Sequence, residues 1–289
     1  MIAAHSFHGD EVTSINKFSP DDSSIFVNAV SSNEIHIVRN NPSGLAVVLK
    51  NQLQGPDQQF QDSGCAAFSP DGRNLFFAAK TQIDKPATGF PRSGEVRVLD
   101  VGSLTSRQLW ANFESEVKLR ESQILSLAVC ENYLACSSND KNIRVLNSQT
   151  GTIVAKRELR SICDALSRSP DGTRMVIGTR GGQLMVVDLP SLEVRSSVDA
   201  HNSQISSTAW ITPDLIVTGS RDHSMKLWKW TGNELTELLT LDSFSGSVDE
   251  LAASADGNIL ALRIASETSI RLLRIDLLRQ WLQECGLDW

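Results

Sequence analysis

Five histidines, five cysteines and one glycine-rich run are the residues of this 289-residue chain whose types could hold a metal, attack a substrate or cradle a phosphate. His5, His8, His36, His201 and His223 form no i, i+4 pair on a helix, and no set of cysteines or carboxylates frames them, so their spacing gives no metal site. Cys65, Cys130, Cys136, Cys163 and Cys285 contain no C-x-x-C pair. Four of them lie in apolar, strand-like segments, where a thiol behaves as a small hydrophobe. Neither a G-x-S-x-G nucleophile elbow nor a G-x-x-x-x-G-K phosphate loop occurs. Gly178 to Gly182 reads GTRGG, but it joins two strand-like runs rather than a strand and a helix, so turn geometry accounts for it. With a single Tyr, and Trp residues mostly in strand-like runs or the tail, an aromatic cage for methylated lysine is disfavoured. The expectation is a protein with no catalytic residue, no metal and no cofactor, hence not an enzyme. A hydrolase whose groups converge from distant segments on a channel metal is the reading that spacing cannot test.

Composition narrows the partners. Hydrophobic residues make up 40% and charged residues 21%, enough to bury a core. The net charge of −7, from 27 basic against 34 acidic residues, argues against nucleic acid. Basic clusters at Lys118–Arg120 and Lys156–Arg160 contain or adjoin Glu and read as solvated loop or edge. No apolar run approaches the roughly 18 residues of a membrane helix. The start, MIAAHSFHGD, has no cationic segment followed by an apolar one. With an odd cysteine count and no usable N-x-S/T sequon, a cytoplasmic protein with no membrane contact is expected.

The elements that must position any site are set by repetition. A turn recurs as Ser19-Pro20-Asp21-Asp22, Ser69-Pro70-Asp71-Gly72, Ser169-Pro170-Asp171-Gly172, Thr212-Pro213-Asp214 and Ser254-Ala255-Asp256-Gly257. Where Pro is present it presets φ, and Asp bonds its own backbone, so the turn ends one strand and aims the next. The wide step from 69 to 169 hides a sixth repeat, with a degenerate turn at Cys130-Glu131-Asn132. Expected strands are 11–18, 24–30, 34–38 and 45–50 in repeat one, 63–68, 74–79 and 95–99 in repeat two, and 123–129, 133–138 and 142–146 in repeat three. Repeat four gives 162–166, 174–178 and 183–187, with Gly181 at a turn position that suits φ above zero. Repeat six gives 248–253, 259–264 and 269–273. Thr81 to Gly94 reads as a long insertion between two strands of repeat two. Runs such as Leu215–Val217 and Met185–Val187 are apolar on both sides, as expected for sheets sandwiched between neighbours.

Repeat five is the most complete copy: Ala200 to Trp230 carries His201, a strand at 204–210, a turn at 212–214, a strand ending at Ser220, then T-G-S-R-D and Trp228 six residues after Asp222. It resembles the WD40-repeat family. The resemblance implies an all-β propeller of six recognisable four-stranded blades, with seven possible, over residues 1–275. It also implies a relay in which Asp222 accepts from His201, and Thr218 links His201 to the indole N–H of Trp228. In repeat one His8 takes the place of His201, but Ser32 stands where the Asp would be. Leu146 replaces the Trp in repeat three, where Asp140 keeps the turn. The sixth repeat lacks an outer strand, which Met1–Ser6 could supply. The ring is then six-bladed, an open ring completed by a partner, or one whose seventh repeat was cut away or is too degenerate to see.

Residues 276–289 read as a C-terminal helix packed on or next to the propeller. Asp276 is the expected cap, Leu278, Trp281, Leu282 and Cys285 an apolar stripe, and Gly286 the stop. The Gly-Leu-Asp-Trp ending resembles tails of WD-repeat regions in large bacterial signalling proteins.

WD40 proteins commonly bind partners on the face where the d-a and b-c loops emerge. Carried over position by position, this selects Ser31, Asn139, Arg180 and Arg221, each just before the turn Asp or its equivalent, with Phe90 in the insertion as an apolar anchor. Arginines and an aromatic suit a protein or peptide partner with an acidic or phosphorylated segment. The expected function is a non-catalytic scaffold, a possible subunit of a larger complex. The alternative is the sensor or autoinhibitory module of a larger signalling enzyme.

Overall fold

In a computed structural model of the chain, every regular element among the described residues is a β-strand except one helix. The structure describes the backbone of strands 14–18, 24–29, 34–41, 44–52 and 58–60, then residues 65–82, 92–103, 105–111, 121–242, 244–254, 256–267 and 269–284, with backbone alone at 80–82, 92–93 and 121–122.

The described strands form six sheets. The first is an antiparallel meander of β1 (Ser14–Phe18), β2 (Ser24–Ala29), β3 (Glu34–Asn41) and β4 (Gly44–Gln52). The second contains β5 (Gln58–Phe60), β6 (Ala66–Phe68), β7 (Asn74–Gln82), β8 (Arg92–Asp100), β9 (Thr105–Ala111) and β10 (Glu121–Ser122). The third runs β11 (Ile124–Val129), β12 (Tyr133–Ser138), β13 (Asn142–Asn147) and β14 (Ile153–Glu158). The fourth is β15 (Cys163–Arg168), β16 (Arg174–Thr179), β17 (Gln183–Asp188) and β18 (Val194–Asp199), and the fifth is β19 (Ile205–Thr212), β20 (Leu215–Ser220), β21 (Met225–Trp230) and β22 (Leu235–Leu241). The sixth has three strands, β23 (Val248–Ala253), β24 (Ile259–Ile264) and β25 (Ile270–Arg274), and passes into α1 (Ile275–Glu284). This is the all-β, propeller-type architecture with a short C-terminal helix expected from the repeats. The chain divides into two compact units, residues 1–154 and 155–289.

The recurring turn works through a residue the Pro-Asp pattern does not advertise. In three copies the leading serine hydroxyl, Ser69, Ser169 or Ser254, donates to the Asp two residues on at 2.5 Å and accepts the backbone N–H five residues on at 2.9 Å. The Asp accepts the N–H two residues after it, and Gly72, Gly172 and Gly257 follow at φ near 70°. One hydroxyl therefore staples both ends of each hairpin. These contacts hold Asp256 down to about 2, led by the Ser254 hydroxyl, and Asp71 also below its ordinary range.

In the second unit, neighbouring sheets meet along their first strands. The hydroxyls of Ser167 and Thr208 lie 3.0 Å apart, Ser206 Oγ donates to Val248 O at 2.5 Å, and Leu251 N donates to Ser207 Oγ at 3.0 Å. Two glycines permit this approach: a Cβ on Gly178 would stand 2.5 Å from Ile205 Cγ2, and one on Gly219 would stand 2.7 Å from Val248 Cγ1. The core is the double-sided apolar packing of Val176, Leu184, Val186, Ile205, Ile216, Trp228 and their neighbours.

Three expectations need correction. The segment 81–94 is not all loop: β7 and β8 stay paired out to Gln82 and Arg92, and β5 and β10 flank the extended hairpin, because added backbone donors are satisfied most readily by more ladder. The positive φ of the fourth sheet's hairpin falls on Gly182 (79°), not Gly181; Lys141 and His223 take the same conformation one residue after Asp140 and Asp222. The helix begins at Ile275 rather than being capped by Asp276, because the chain leaves β25 without a loop and Ile275 N donates to Asn258 O at 2.8 Å. Asp276 sits in the first turn, paired with Arg274, whose hydrogen bond is the largest cause of its lowered pKa. Ile275 and Leu282 are buried and Leu278 packs on the same core, whereas Trp281, expected on the apolar stripe, is 59% exposed. Cys285 and Gly286 lie outside the described residues.

Gly182 yields a prediction. At φ 79° an added Cβ would also lie 2.0 Å from the His201 carbonyl oxygen, whereas Gly232, at φ 99°, has nothing within 4 Å. Gly182→Ala should cost roughly 2 kcal/mol or more, and Gly232→Ala about 1 kcal/mol from backbone strain alone. Thermal melting of the two variants checks the order.

Candidate interaction face

In the third to sixth sheets the loops at one end are held by hydrogen-bond constellations, most fully in the fifth. Trp228 Nε1 donates to Thr218 Oγ1 at 2.9 Å, Thr218 Oγ1 lies 2.7 Å from His201 Nε2, and His201 Nδ1 lies 3.0 Å from Asp222 Oδ2. Since an ionised carboxylate only accepts, Nδ1 carries the proton, Nε2 accepts from Thr218, and every donor points from the indole toward Asp222. Asp222 also accepts from Asn202 N at 3.0 Å, Ser224 N at 3.1 Å and Ser224 Oγ at 2.5 Å. Ser224 has no signal in the sequence pattern, yet it closes the constellation. Burial pushes the His201 pKa down, so the ring is neutral at neutral pH. Burial opposes ionisation of Asp222, but the Ser224 hydroxyl, His201 and the Asn202 amide together outweigh it and keep its pKa low. With a neutral ring, the His201 contribution rests on the hydrogen bond rather than on charge.

Other sheets solve the same problem differently. In the third, Arg144 stands opposite Cys136 as Lys226 stands opposite Thr218 in the fifth, and its guanidinium donates to Asp140 through Nη1 at 3.2 Å and Nη2 at 2.6 Å. The Arg144 side chain has 0% exposure, and its guanidinium carbon lies 5.3 Å from the centre of the Trp110 ring. In the sixth, Ser245 Oγ donates to Glu267 at 2.7 Å, Arg271 pairs with Glu267, and Arg271 lies over the Phe244 ring. A basic residue two before the Trp position, tied to an acid, is thus shared by Arg97 with Glu95, Arg144 with Asp140, Lys226 with Glu237 and Arg271 with Glu267. The signal was present in the sequence as Arg or Lys at equivalent strand positions.

Asn139, Arg180 and Arg221 occupy equivalent places. Each donates its backbone N–H to the carbonyl of the residue just before the first strand of its own sheet: Asn139 to Gln123 at 3.1 Å, Arg180 to Ile162 at 2.8 Å and Arg221 to Gln204 at 2.9 Å. Their side chains differ. Asn139 Oδ1 accepts from Gln123 N at 2.8 Å, so its amide is partly used in holding the turn. The Arg180 guanidinium grips Asp164, Nε to Oδ2 at 2.7 Å and Nη2 to Oδ1 at 3.0 Å. Arg221 is exposed. Ser31 and Phe90 lie outside the described residues. Among the described residues no cluster of three His, Cys, Asp or Glu could hold a metal, and no helix is long and apolar enough to cross a membrane.

Comparison with known proteins places this constellation. The family model described as "WD domain, G-beta repeat" matches residues 192–229, which contain His201, Thr218, Asp222 and Trp228. Human mitogen-activated protein kinase-binding protein 1 is 32% identical over 117 residues, 39% of this chain and 7% of that protein. Zebrafish apoptotic protease-activating factor 1 is 23% identical over 175 residues, 59% of this chain and 12% of that protein. The small ribosomal subunit protein RACK1 of Candida albicans is 33% identical over 93 residues, 30% of this chain and 29% of that protein. The chain therefore spans only a small part of the length of the relatives it matches.

Proposed function

We propose that this chain, which belongs to the WD40-repeat family, is a non-catalytic scaffold that binds a protein or peptide through the face carrying its d-a and b-c loops. The observation that carries the reading is Arg221: an exposed guanidinium on a turn fixed at both ends, by its own backbone bond to Gln204 and by the part-buried, hydrogen-bonded Asp222 beside it. A turn held by its backbone loses little main-chain freedom on binding, and the exposed guanidinium it carries suits an acidic or phosphorylated segment. Arg180, on the neighbouring turn, is the second basic group of that face. One relative is named for binding a kinase and another as a ribosomal subunit protein, which supports protein partners and membership of a complex. Residues 1–275 act together as one propeller in this reading, in the cytoplasm.

Arg221→Glu tests it. Affinity purification with mass spectrometry should lose the co-purifying partners while the melting temperature stays within about 1 °C, since exposed substitutions are usually near neutral. Undiminished recovery would remove this face. Arg180→Glu is a poorer probe, because it would set a second carboxylate against Asp164.

The match to a small part of apoptotic protease-activating factor 1 favours a second reading, a sensor module of a larger signalling protein. An open reading frame that continues upstream of Met1 into a catalytic or nucleotide-switch module would support it, and a stop codon there would count against it.

A further inference from the structure

Of the two arginines on the proposed binding face, Arg180 is engaged within the chain, whereas among the described residues the Arg221 side chain has no partner. Asp164, on β15, takes the Arg180 fork bidentately and also accepts from Gln204 Nε2 at 2.9 Å. Gln204 in turn gives its backbone carbonyl to Arg221 N. One carboxylate, only 14% exposed, therefore sits at the centre of a chain running from Arg180 through Gln204 to Arg221, while the Arg180 side chain remains 45% exposed. Among the described residues Arg180 Nη1 has no hydrogen-bond partner, so one edge of the guanidinium is used and one remains. This arrangement is the one a partner's carboxylate would form with Arg180, made instead from within the chain.

We propose that Asp164 is a specificity-determining residue of this face: it fills the Arg180 fork in place of an incoming anion, and so limits the negative charge density of the segment that can dock. The inference rests on the reading that the Arg180 and Arg221 face binds an anionic peptide segment. A ligand carboxylate aimed at Arg180 must either displace an intramolecular partner already in position or approach with Asp164 repelling it. Arg221 carries no such restraint. The preferred partner therefore brings one anionic group, to Arg221, and a neutral hydrogen-bond acceptor toward Arg180 Nη1. A densely acidic segment is disfavoured.

The test uses the full chain and a fluorescein-labelled hexaglutamate peptide, read by anisotropy at 50 mM and 300 mM salt. Asp164→Asn keeps the shape and an acceptor for Gln204 while removing the charge. It should tighten hexaglutamate binding by roughly tenfold at 50 mM salt, with the gain largely lost at 300 mM. Adding Arg180→Met to Asp164→Asn should abolish the gain. Asp164→Ser, with melting temperatures for both variants, guards against a folding defect in either. Equal or weaker binding by both folded variants overturns the proposal and makes Asp164 a structural support. Failure of Arg221→Glu to weaken binding overturns the underlying reading even if Asp164→Asn tightens it, and no peptide binding to any of the proteins removes both.

Discussion

Arg144→Met is expected to lower the unfolding free energy by about 3–5 kcal/mol, the largest effect of any single charged residue in the described part of the chain. The guanidinium is fully buried, and its removal leaves the Asp140 carboxylate, itself nearly covered, facing a methionine. Burial acts to raise the Asp140 pKa; the hydrogen bonds from Arg144 and Asn142 and the charge of Arg144 outweigh it and hold the pKa below the ordinary range. The pair's benefit is thus present at neutral pH and lost as pH falls through the depressed pKa, because the unfolded chain takes up the proton first. Asp140→Ala combined with Arg144→Met should recover much of the loss, since an apolar pair strands no charge. Urea denaturation of both single variants and the double variant checks the cycle. Additive losses would mean that Arg144 acts through Trp110 and its other packing rather than through Asp140.

Thr218→Val should cost roughly 2–4 kcal/mol although it changes no volume, because it strands two buried groups at about 1–3 kcal/mol each. The hydroxyl at once accepts from Trp228 Nε1 and donates to His201 Nε2, and no water-facing atom can replace it at a residue with no exposure. The same constellation sets a pH dependence. Because burial holds the His201 pKa below its ordinary value, the unfolded chain binds the proton first, and stability falls as pH drops below about 6.5 toward the folded pKa. The melting temperature of the wild type should therefore decline between pH 7.5 and pH 5. His201→Gln, less stable at pH 7.5, should show a smaller decline. An identical pH profile in the two proteins would mean that His201 binds its proton equally well in the folded and unfolded chain.

The sequence by itself determined whatever rests on local chemistry. The Ser-Pro-Asp-Gly turns, the alternation into buried strands and the order His201, Thr218, Asp222, Trp228 could be read because each depends on residues within one repeat, at offsets the backbone fixes. The tertiary structure decided which side chains meet, both between strands of one sheet and from one sheet to the next. Nothing in the run GTRGG shows that Asp164, sixteen residues earlier, holds Arg180, or that Gln204 of the following sheet shares that carboxylate. Nothing near Arg144 shows that Trp110 lies beneath it. Periodicity reports which face of a strand a side chain takes, but the partner of a charged group is chosen by how neighbouring sheets are rotated and spaced. The close approach allowed at Gly178 and Gly219 sets that spacing between sheets in the second unit.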